Sequence, residues 1–158
     1  MSYLIDTNVL SELKRKTPDA GVVNWFSQRP PLTLYLSVLT LGEIRKGIEG
    51  IADETRRQKL IDWLETDLPN FFTGRILAID ASVADRWGRI VAAARRPLPA
   101  VDSLLAATAA EHDLVLVTRN VKDFTGLSVQ VFNPWSMMGT SKKTSASIAK
   151  ARHNPKRK

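Results

Sequence analysis

No cysteine occurs among the 158 residues, which excludes disulfides, thiolate metal sites and cysteine nucleophiles and fits a cytoplasmic protein. There are only two histidines, His112 and His153. Neither pairs with a nucleophile and an orienting acid, so a serine–histidine–aspartate hydrolase is poorly supported. The eight glycines form no phosphate-cradling loop. No apolar run approaches the ~20 residues of a membrane span, and Asp6 comes too early for the apolar core of a signal peptide. Acid is missing from residues 142–158, whereas Lys142, Lys143, Lys150, Arg152, Lys156, Arg157 and Lys158 lie there. Removing these seven from the 23 basic residues leaves 16, equal to the 16 acids, so the tail carries the whole net charge of +7. The expected organisation is one domain over 1–135 and a basic, flexible tail over 136–158. Such a tail adds sequence-independent affinity for phosphate backbones, or is simply a solvated terminus.

What is present alternates between two periodicities. "YLI" (3–5) reads as a buried strand ending at Asp6, and 8–16 as a helix capped by Asp6 or Thr7. A second helix is expected over 19–28 with Val22, Val23 and Phe26 inward. "TLYLSV" (33–38) is strand-like, followed by helices over 38–49 and 54–66. "GRILAID" (74–80) is the third strand. The helix over 82–95 places Val83, Trp87 and Val91 on one face. Pro97 and Pro99 precede an alanine-rich helix over 101–111, then "DLVLVT" (113–118) and "LSVQVF" (127–132) supply two more strands. The alternation predicts an α/β fold with a mostly parallel sheet covered on both faces.

In such sheets ligands bind beyond the carboxyl ends of the strands. Four acids fall on that edge. Asp6 ends the first strand, and Glu43 lies one turn into the helix after the second. Asp102 starts the helix leading into the fourth strand, and Asp123 follows that strand in "TRNVKDF". Glu43 lies off its helix's apolar stripe of Val38, Leu41, Ile44 and Ile48, and Gly42 and Gly47 leave room beside it. At about 4 Å and an effective dielectric near 20, each pair of carboxylates repels by roughly 4 kcal/mol. Hard divalent cations such as Mg²⁺ or Mn²⁺ relieve that repulsion and can polarise a phosphodiester. Thr7, Asn8, Thr118 and Asn120 add short polar groups that could orient the carboxylates.

Each acid also has an ordinary reading: helix capping for Asp6 and Asp102, a solvated helix position for Glu43, an Asx turn for Asp123. Asp80, which ends "AIDASV" in the same way, is assigned to capping. The four tryptophans are read as core or interface residues.

Together, "YLIDTNVLSEL", "SVLTLGEIRKGI", "LPAVDSLLAATAAEHDLVLVTRNVKDF" and "VQVFNPW" resemble the PIN-domain ribonucleases. The nearest resemblance is to the VapC-type and FitB-like toxins of type II toxin–antitoxin pairs. The resemblance covers about residues 3–135. It implies a three-layer α/β/α sandwich with a central, mostly parallel five-stranded sheet. It also implies a Mg²⁺- or Mn²⁺-dependent endoribonuclease leaving a 5′-phosphate and a 3′-hydroxyl. By that likeness Asp6, Glu43, Asp102 and Asp123 are the metal-binding catalytic acids, with Thr7, Thr118 and Asn120 in support. An RNA substrate, a cognate antitoxin obstructing the site, and toxin homodimers or toxin–antitoxin hetero-oligomers are implied as partners. Against the family pattern, "RRPLPAVD" is shorter than the glycine-containing loop expected there. Two rivals stand beside this reading: an inactive PIN-like module that binds RNA through its tail, and a phosphoacceptor domain using Asp80 and Thr118.

Overall fold

The structure is a computed structural model describing residues 1–136; apart from Ser136, the basic tail lies outside the described residues. In chain order the elements are β1 (Tyr3–Ile5), α1 (Thr7–Leu13), α2 (Ala20–Ser27), β2 (Leu34–Ser37), α3 (Val38–Glu49) and α4 (Glu54–Asp62). A π-helical turn (Trp63–Asp67) leads into α5 (Leu68–Phe71). β3 (Ile76–Leu77), α6 (Ala81–Ala94), α7 (Ala100–Glu111), β4 (Val115–Val117) and β5 (Val131–Phe132) complete the fold. The five strands run in the order β3-β2-β1-β4-β5, and every pairing is parallel. Connections leave β1 toward β2 on one side, while β4 lies on its other side. The point at which strand order reverses therefore falls between β1 and β4, where a crevice opens at the carboxyl ends.

Side-chain alternation along the strands divides the core between two faces. Ile5, Leu34, Leu36 and Val117 pack with Val9, Leu10, Val22, Trp25, Ile44, Ile48 and Phe72 under α1, α2, α3 and α5. Leu4 and Leu116 point the other way, against Leu105, Ala106 and Ala109 of α7. Val83 and Ile90 of α6 close over Ala107. The expected α/β/α sandwich is present.

Several boundaries and faces differ from expectation. Strand pairing over 74–80 shrinks to two residues, because Gly74 takes a φ of 71° and Arg75 turns into the interior. There its guanidinium donates to the carbonyls of Pro31, Leu34 and Phe71. Over 127–132 only Val131 and Phe132 pair, since Gly126 has a φ of 80° and turn hydrogen bonds such as Val129 N to Leu127 O occupy the backbone. In α2 Val22 is buried as expected and Phe26 is half-buried, but Trp25 also goes in and Val23 faces outward. In α3 Val38 is exposed and Thr40 takes the buried place expected of it. On α6 the buried positions are Val83 and Ile90; Trp87 sits at the edge, its Nε1 donating to Ser103 Oγ at 2.9 Å. Trp25 alone of the tryptophans is fully enclosed.

Candidate functional site

Asp6 is the centre of the site. It caps α1 from an extended backbone conformation, its Oδ1 accepting from Thr7 N at 2.7 Å. The capping reading is therefore correct, and incomplete. Oδ2 accepts from Thr118 Oγ1 at 2.7 Å and from Asn8 Nδ2 at 3.4 Å. Thr118 stands at the end of β4, paired with β1, so the sheet itself brings a hydroxyl to a carboxylate 112 residues away. Asn8 ties the same two loops together: Nδ2 also donates to Thr118 Oγ1 at 3.1 Å, and Oδ1 accepts from Arg119 N at 3.3 Å. Asn120 contributes through its backbone N–H, which donates to Thr118 Oγ1 at 3.1 Å.

Glu43 joins from α3, whose first turn is capped by Ser37 Oγ accepting from Leu39 N. Its Oε1 accepts from Thr7 Oγ1 at 2.8 Å, so Thr7 links the Asp6 turn to α3 by its side chain. Asp102 lies in the first turn of α7, and Asp123 lies in a 3₁₀ turn (Val121–Phe124) anchored by the buried Phe124.

Electrostatics shows how the four acids relate. Asp6 is only 5% exposed. Its pKa is pushed from 3.8 up to about 6, chiefly by burial and further by the charges of Glu43 and Asp102; the bonds from Thr118 and Thr7 act in the opposite direction. Asp102 is raised too, first by burial, then by Asp123 and Glu43. Asp6, Glu43 and Asp102 thus share one field, and Asp123 joins it at the outer edge through Asp102. Among the described residues no group of three or more His, Cys, Asp or Glu is arranged to hold a metal ion as it stands. The acids are gathered electrostatically without closing round one point.

Asp80 behaves as the capping residue it was assigned to be, its carboxylate accepting from Val83 N at 2.9 Å. It follows the edge strand β3, with β2 between it and β1, which removes the basis for a phosphoacceptor reading. Sequence reasoning did not find Arg96. Its Nη2 donates to the carbonyls of Asp123 at 3.4 Å and Thr125 at 3.1 Å, tying the α6–α7 loop to the turn that carries Asp123. The only signal for it was its place in "RRPLP", ahead of Asp102.

The family model for the PIN domain matches residues 3–126. The chain belongs to the PIN domain family. Among PIN-domain relatives, the toxin FitB of Neisseria gonorrhoeae is 36% identical, the match covering 84% of this chain and 97% of FitB. The VapC ribonuclease Y4jK of Sinorhizobium fredii is 31% identical over 84% of this chain and 96% of its own. A crystal structure of FitAcB from Neisseria gonorrhoeae superposes with a TM-score of 0.81 at 35% identity, covering 85% of this chain and 99% of that one. A toxin–antitoxin complex from Klebsiella pneumoniae contains a chain 29% identical, with a TM-score of 0.61 and coverage of 84% and 98%. No helix among the described residues is long and apolar enough to cross a membrane.

Proposed function

We propose that this PIN domain is a toxin-type endoribonuclease that hydrolyses RNA with a divalent cation and is held in check by an antitoxin protein. The carrying observation is the buried Asp6, coupled to Glu43 and Asp102 across three separate segments and raised to about pKa 6. A carboxylate forced toward neutrality by burial and like charge is a strong site for a compensating cation. The donor set is entirely hard oxygen, which suits Mg²⁺ or Mn²⁺. Asp6, Glu43 and Asp102 would hold the ion, with Asp123 completing the set. Glu43 and Asp102 are half-buried, and Glu43 is held by a single hydrogen bond from Thr7, whereas Asp6 is fixed by donors on both oxygens. When bound, such an ion supplies Lewis-acid activation of a phosphodiester.

The remaining residues keep Asp6 in place. Thr118 and Asn8 occupy one carboxylate oxygen and Thr7 N takes one site on the other, leaving a lone pair free on Oδ1. Thr7 holds Glu43 by its hydroxyl, so a substitution at this one position disturbs two acids. The names of the relatives supply the RNA substrate and the antitoxin.

The test is cleavage of single-stranded RNA by wild type, Asp6→Asn and Asp102→Asn, with Mg²⁺ and with chelator. Metal-dependent cutting by wild type, absent from both folded variants, is expected. Wild-type rates in either variant would overturn the assignment.

A further inference from the structure

α6 ends at Arg95 with a φ of 52° and a ψ of 27°, in the left-handed region that favours glycine. Only one other non-glycine among the described residues has a positive φ, Asp113, and aspartate tolerates that region through local hydrogen bonding. Arginine has no such excuse. Its side chain is exposed and makes no hydrogen bond, ion pair or ring contact among the described residues. Backbone strain at an uncommitted cation is a pointer to function.

The position is also informative. The next residue, Arg96, is bonded to the carbonyls of Asp123 and Thr125, so the loop is pinned beside the outer acid. Asp102 follows in the first turn of α7. On the other loop, the Arg119 guanidinium is engaged 5.3 Å from the Trp135 ring centroid. Arg95 is thus an exposed, uncommitted guanidinium on the loop that Arg96 ties to the Asp123 turn. A site built from carboxylates repels a polyanion, and the affinity that overcomes this must come from flanking cations.

We propose that Arg95 binds a phosphate of the RNA strand beside that turn. This rests on the endoribonuclease reading above and adds a substrate-binding residue to it.

The experiment uses the full-length chain and a fluorescein-labelled single-stranded oligouridylate in chelator, so that binding is read without cutting. Anisotropy titrations over a range of salt concentrations give the salt slope. Losing one phosphate contact to a single strand should reduce the magnitude of that slope by about 0.7. Arg95→Gly should therefore bind more weakly at low salt, with the shallower slope and a melting temperature no lower than wild type. Arg95→Lys should keep the wild-type slope. Arg95→Asn, which tolerates the left-handed region, repeats the neutral test if the glycine variant folds poorly. A cation at a helix C-terminus also complements the helix dipole; that role alone predicts a lower melting temperature with an unchanged slope. A neutral variant with the wild-type slope overturns the proposal. Cleavage assays separate the two readings. Wild type that fails to cut RNA defeats the endoribonuclease, while the binding titration still decides Arg95.

Discussion

Replacing Asp6 by asparagine should stabilise the metal-free protein near neutral pH and destabilise it in acid. The folded-state pKa of Asp6 is about 6 against 3.8 for the unconstrained group. The folded state therefore binds the proton more tightly, and stability falls as pH rises between those two values. Above that window a shift of this size amounts to about 3 kcal/mol of destabilisation. Asparagine removes the charge and with it this penalty. It keeps an acceptor for Thr7 N, but its amide N–H₂ meets Asn8 Nδ2 and Thr118 Oγ1 where an acceptor stood. One mismatched buried donor costs roughly 1–2 kcal/mol, leaving a net gain on the order of 1–2 kcal/mol at neutral pH. At ~2–4 °C per kcal/mol for a chain of this size, the variant should melt several degrees above wild type in chelator. Below the unfolded pKa both proteins are neutral at this position and only the mismatch remains, so the order should reverse. Thermal unfolding followed by circular dichroism across pH reads the crossing directly. An asparagine variant less stable than wild type by the same margin in acid and at neutral pH would refute burial of a charged Asp6 as the dominant effect.

Thr118→Val removes the hydroxyl that donates to Asp6 and strands the donors of Asn8 and Asn120. A loss of about 1–3 kcal/mol in urea unfolding is expected, with cleavage reduced roughly 10- to 100-fold, as for other groups that orient metal ligands. Deleting residues 136–158 should leave metal-dependent cutting in place and flatten the salt dependence of RNA binding; loss of every RNA effect with the tail would favour the inactive binding module.

The fold was legible wherever one periodicity persisted. Buried Leu4 and Ile5, or Leu116 and Val117, read as strand cores because both faces of a parallel sheet are covered. Strand lengths were not legible. Gly74 and Gly126 bend the chain out of pairing, and Arg75 lies inside where three carbonyls accept from its terminal nitrogens. The α2 helix misled because Val23, Trp25 and Phe26 are all apolar, and only packing decides that Trp25 goes in. Asp6 and Asp102 could be picked out by strand-end and helix-start position, but so could Asp80. What separates Asp80 is strand order: β3 is the edge and β1 adjoins the switch point. The Asn8–Thr118 bond spans 110 residues and exists only because β1 and β4 are neighbours, a relation no local pattern encodes.

The decisive measurement is binding of Mn²⁺ alone, without RNA, by wild type, Asp6→Asn and Asp102→Asn. A ligand at 100 times its dissociation constant stabilises the folded state by about 2.7 kcal/mol, so wild type should melt at a clearly higher temperature with Mn²⁺ and neither variant should respond. An equal response to Mn²⁺ in all three proteins would contradict a shared cation site built from Asp6 and Asp102.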